Sequence, residues 1–153
     1  MGFHSSSAGY VGAGITEPSP TAVDKFLYSD DSRSVLAAGF PTSTYGSAGF
    51  SSSSAGYFAG GGTSSGSIAT TYKWAFSDDS RSTLATGLSS LREGVVGFSS
   101  SLAGYAAGGE GSGGQVTTVD KFAYSDDSRS TLGTGLSQAG YFFTSFPSGQ
   151  YPS

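Results

Sequence analysis

At 153 residues the chain has room for one domain, and its 12% charged residues and net charge of −4 leave no cluster of Lys and Arg for nucleic acid. It has no cysteine, which excludes disulfide and thiolate chemistry, and one histidine, which excludes a multi-histidine metal site within the chain. No apolar run is long enough to span a membrane, and 14% aromatics at recurring places oppose disorder despite 25 glycines.

The opening, Met1-Gly2-Phe3-His4-Ser5, lacks the basic and apolar regions of a secretory signal. An extracellular role would then need another route, such as release with a virus particle. His4 lies in a Ser-rich stretch, and no catalytic role is expected of it. Ala8-Gly9-Tyr10 follows, and returns as Ala55-Gly56-Tyr57 and Ala103-Gly104-Tyr105, steps of 47 and 48 residues. Asp24-Lys25-Phe26 returns as Tyr72-Lys73-Trp74 and Asp120-Lys121-Phe122. Ser29-Asp30-Asp31-Ser32-Arg33-Ser34 returns at Ser77 and Ser125, two steps of 48. A period of this size marks a repeat architecture, in which each unit buries its apolar face against its neighbours.

The last full unit shows the expected elements most clearly. Gly94 to Phe98 is a short apolar strand, Ser99 to Ser101 a turn, and Ala103 to Ala107 a second strand ended by Gly108-Gly109. Glu110 to Gln115 is a Gly-rich loop. Val116 to Tyr124 is rich in β-branched and aromatic residues and forms a third strand. Ser125-Asp126-Asp127-Ser128 is turn chemistry, and Arg129 to Leu136 is the fourth strand. No helical periodicity of useful length occurs. Four antiparallel strands per unit make an all-β chain of β-propeller blades. Residues 1–146 divide into three repeats, about 2–40, 41–90 and 91–138, with a partial strand at 139–146 and a tail at 147–153.

These residues resemble a kelch repeat. Arg92-x-Gly94, Gly97-Phe98, Gly104-Tyr105, Gly108-Gly109, Val119 to Phe122 and Leu132 carry the likeness in the third unit. Gly49-Phe50, Gly56-Tyr57, Gly60-Gly61 and Tyr72-Lys73-Trp74 carry it in the second. The first unit has Gly12-Ala13-Gly14 in place of the doublet, and Leu36, Leu84 and Leu132 stand where kelch units commonly have a late Trp. The stretch Ala75 to Gly87 also looks like the inner strands of a WD40 blade, another propeller unit. Low-charge, Gly/Ser-rich kelch-like arrays are similar to structural proteins of bacteria and phages. That resemblance implies a non-enzymatic assembly or adhesion module, such as a phage fibre or capsid decoration, and a virion or extracellular assembly as its setting in preference to the cytoplasm. The alternative it leaves open is a carbohydrate-binding propeller lectin, with glycans as partners.

Propellers typically have about four to eight blades, so three units imply a partner. Two chains paired head to tail would give six blades; other structural proteins could fill the gap instead. The side chains expected at ligand or assembly contacts are Tyr57, Tyr105, Tyr141, Phe142, Phe143 and Phe146. The acid pairs Asp30-Asp31, Asp78-Asp79 and Asp126-Asp127 invite two functional readings, a Ca²⁺ site or an acid pair for sugar hydrolysis. Their repetition favours a turn instead, neutralised by Arg33, Arg81 and Arg129: a catalytic site is needed once, a turn in every unit. No catalytic residue, metal or cofactor is therefore assigned.

Overall fold

A computed structural model of the chain describes residues 1–12, 14 and 21–145. Ala13, Phe146 and the expected tail, 147–153, lie outside them. The described residues form strands and turns, without a helix.

Three antiparallel sheets of four strands follow one another along the chain. The first contains β1 (Gly2–His4), β2 (Ala8–Gly12), β3 (Val23–Leu27) and β4 (Arg33–Val35). The second contains β5 (Ala48–Ser51), β6 (Ala55–Thr63), β7 (Gly66–Ala75) and β8 (Arg81–Thr83). The third begins with β9 (Val96–Ser99) and β10 (Ala103–Ala107). A short hairpin, β11 (Glu110–Gly111) and β12 (Gly114–Gln115), intervenes before β13 (Val119–Ala123) and β14 (Arg129–Thr131) complete the sheet. Strand order follows chain order in every sheet. This is the all-β blade architecture expected from the period.

Local chemistry sets the turns. Ser5 Oγ accepts from the backbone N–H of Ser7 and Ala8, at 3.2 and 3.0 Å, and so ties β1 to β2. Ser52 and Ser100 do the same in the later sheets. At the far hairpin, Asp30 Oδ1 accepts from Ser32 N at 3.0 Å, and Asp78 and Asp126 repeat that bond with Ser80 and Ser128. The short acidic side chain thus replaces a backbone partner in the turn.

Several elements differ from the expectation. The fourth strand stops at Thr131, because Leu132 onward turns across the sheet end, where Leu136 N donates to Thr117 O. Glu110 to Gln115 is a hairpin inserted inside the third sheet. In the second sheet the corresponding stretch extends β6 and β7 into one long hairpin, with a register shift between Ala59 and Gly61. The glycine doublets mark this bend: Gly60, Gly61, Gly108 and Gly109 all have positive φ, which few other residues tolerate. Gly61 N donates to Arg92 O and Gly109 N to Gly140 O, each 2.8 Å, so each doublet receives the segment leaving its sheet.

The sheets converge along their first strands. A Cβ on Gly49 would collide with the Gly2 carbonyl, and one on Gly97 with the Gly49 carbonyl. Two cores fill the spaces between sheets. Phe3, Tyr10, Val23, Phe40, Phe58 and Trp74 form one; Phe50, Tyr57, Leu88, Val95 and Phe122 anchor the other. Gly56 and Gly104 form the floors on which Phe3 and Phe50 lie, since a Cβ at either position would enter the ring above it. Gly56→Ala and Gly104→Ala should each lower stability by about 1–3 kcal/mol in urea titrations, through forced displacement of the ring. Gly133→Ala, with open space around it, should change it little.

Candidate assembly surface

The contact between consecutive sheets is a repeated device. Each sheet presents a Phe and a Tyr stacked on adjacent strands. Phe3 and Tyr10 lie 5.0 Å apart, Phe50 and Tyr57 5.2 Å, and Phe98 and Tyr105 4.9 Å. The following sheet covers this pair with two aromatics of its third strand and the residue just beyond it. Trp74 and Phe76 cover the first pair, at 6.2 Å from Phe3 and 5.4 Å from Tyr10. Phe122 and Tyr124 cover the second, at 5.5 Å from Phe50 and 5.6 Å from Tyr57. Such ring pairs add stabilisation beyond the area they bury.

A polar hook closes each seam. Asp79, in the turn of the second sheet, accepts from Tyr10 Oη at 3.1 Å and Lys25 Nζ at 2.7 Å, both in the first sheet. Asp127 accepts from Tyr57 Oη at 2.9 Å and Lys73 Nζ at 2.6 Å. Each ammonium also sits 5.5 Å from the centroid of its tyrosine ring. The second acid of each pair can reach back because its backbone is left-handed: φ is 56° at Asp31 and Asp79 and 57° at Asp127. Asp tolerates that conformation better than most side chains.

The two acids of each pair therefore do different work. Asp30, Asp78 and Asp126 build the turn, and their hydrogen bonds from Ser32, Ser80 and Ser128 hold their carboxyls below the usual range. Asp79 and Asp127 fasten the seam. The arginines do not neutralise the pairs. Arg33 bonds Asp24, Arg81 bonds the Gly39 carbonyl, and Arg129 lies 3.6 Å from Asp120. Burial, assisted by Asp127, raises the Tyr57 phenol, and burial pushes Tyr124 up to about 12. The Asp79 hydrogen bond raises Lys25.

The outer faces carry unmatched halves of the same device. On the third sheet, the Phe98–Tyr105 stack has no covering ring among the described residues, and Lys121 has no ion pair among them. On the first sheet, Phe26 and Tyr28 are 39% and 56% exposed, whereas the counterparts of Phe26, Trp74 and Phe122, are buried and those of Tyr28, Phe76 and Tyr124, are half-buried. Asp31 is exposed and likewise lacks an ion pair among the described residues. The sequence expectation named Tyr105 but missed Phe26, Tyr28, Phe98 and Lys121. Their signal was present: each stands one or two periods from a residue of an occupied seam.

The other expected contact residues are divided. Tyr57 is buried in the second seam. Tyr141, Phe142 and Phe143 are exposed, in the segment that follows the third sheet, and Phe142 N donates to Gly94 O at 2.7 Å. Ser145 Oγ donates to Gly97 O at 2.6 Å on the inner edge of β9. Between that segment and β9 lies a groove of about 540 Å³, lined by Phe98, Leu136 and Phe143 among others.

One buried ion pair lies away from the seam faces. Arg92 and Asp120 are both fully buried and bonded to each other. Asp120 also accepts from Ser89 and Thr131, while Arg92 donates to the Gly108 and Thr118 carbonyls. Burial lowers the Arg92 pKa. With its polar partners internal, the pair pins the linker to the third sheet. Among the described residues, no group of three or more His, Asp or Glu side chains could share a metal ion. No protein-family model and no curated protein matches the chain.

In dilute solution, Asp79→Asn and Asp127→Asn should each cost about 1–2 kcal/mol by chemical denaturation, since Asn keeps the left-handed backbone but loses the charge. Asp31→Asn should be neutral within about 0.5 kcal/mol under the same conditions. Alkali offers a second check. Tyr124 has a folded pKa raised from 10.0 to about 12, so its contribution is complete below pH 10 and is lost as pH rises through 12. Thermal melts of Tyr124→Phe should therefore fall less steeply than wild type over that interval.

Proposed function

We propose that the protein is a non-enzymatic, kelch-like structural module that works by assembly, its open sheet faces recruiting further β-blades. The observation carrying this reading is the pair of unmatched faces: Phe98, Tyr105 and Lys121 at one end, Phe26, Tyr28 and Asp31 at the other. Internal copies of both halves already meet in two seams. Small sheets of this kind gain stability by being covered, and exposed apolar faces favour association. The glycine doublets and strand order support the kelch-like description. A ring of six blades from two chains lies within the usual range of about four to eight.

Sedimentation velocity and negative-stain microscopy of the intact chain test the proposal. Particles heavier than the 15.3 kDa monomer are expected, their share rising with concentration. A strictly monomeric mass throughout, with a well-folded near-ultraviolet spectrum, would refute it.

A further inference from the structure

Resting on the assembly reading above, the geometry points to a second copy of this chain as the partner, docked head to tail so that Asp31 of one copy engages Lys121 and Tyr105 of the other. The argument is register. Asp79 and Asp127 each take a Lys and a Tyr from the sheet before them. Asp31 is the same residue one period earlier, with the same φ of 56°. Lys121 and Tyr105 are the same acceptor-seeking pair one period later. The free end charges are opposite, so a head-to-tail seam neutralises both.

The apolar parts match as well. Phe26 of the incoming copy stands where Phe122 stands over Phe50, and would cover Phe98. Tyr28 stands where Tyr124 stands; Tyr124 Oη donates to Ser51 O at 2.7 Å, and Tyr28 retains the hydroxyl needed to reach Ser99 in the same way. The groove beside Phe98 provides space for a ring. At the inner edge, Ser145 Oγ occupies the Gly97 carbonyl. In the occupied seams the glycine pairs Gly2–Gly49 and Gly49–Gly97 meet at this level. An incoming Gly2 would take that seat, so docking displaces Ser145.

The test is a charge exchange read by sedimentation equilibrium. Lys121→Glu and Asp31→Lys, each alone, place like charges across every seam and should weaken self-association at least about tenfold. Mixed in equal amounts they form one native and one reversed seam, and association should return. The double variant D31K/K121E should also associate alone. Lys121→Glu lies on an extended strand and carries no backbone strain, so its result stands even where Asp31→Lys, at positive φ, folds poorly. Association of Lys121→Glu as tight as wild type overturns this seam while leaving the assembly reading intact. A wild-type chain that stays monomeric overturns both.

Discussion

Face-to-face cover of one small sheet by the next is the constraint on which the rest of this molecule depends. Each sheet has four strands, two of them only three or four residues long in every case. Such a sheet cannot enclose a core by itself. Its aromatic residues are buried only when the neighbouring sheet approaches closely, and that approach requires bare backbone at Gly49, Gly56, Gly97 and Gly104. The high glycine content is thus largely a packing requirement. The seam then adds direction through a carboxylate that reaches one way, from the turns of the second and third sheets to the sheet before each.

Some of this organisation was legible in the chain because it is local. Ala103 to Ala107 is a strand with the bounds read from the sequence, and the Ser-Asp-Asp-Ser segments are turns. The role of the second Asp was not legible. It depends on a left-handed backbone angle and on a partner 54 residues earlier, Lys25 for Asp79. Charge proximity along the chain suggested Arg81 instead, but its guanidinium extends to the Gly39 carbonyl. The long hairpin of β6 and β7 was equally hidden, because Gly60 to Gly66 reads as loop until both strands pair across it. For the two outer faces, the period held the information: Phe26, Tyr28, Phe98 and Lys121 become prominent once the internal seams show what their counterparts do.

The Arg92–Asp120 pair shows how nearly identical units diverge. One period earlier, the corresponding positions are Thr44 and Tyr72, and the second sheet manages without an ion pair there. In the third sheet the carboxylate is surrounded by Ser89, Thr131 and two arginines, and the guanidinium ties two carbonyls. Burying both charges is tolerable because protein groups replace most of the lost water, the Arg92 Nε alone of the pair's polar atoms being left without a partner among the described residues. The third unit has a polar pin on its linker where the second has a hydroxyl and an aromatic ring.

The backward reach of the turn carboxylate gives the stack a sense, as a written line has a beginning and an end. One terminus is anionic at Asp31, the other cationic at Lys121. Two identical ends brought together would oppose like charges. The residue type that fastens the interior therefore also makes the two ends of the stack chemically different, so that like ends repel and unlike ends attract.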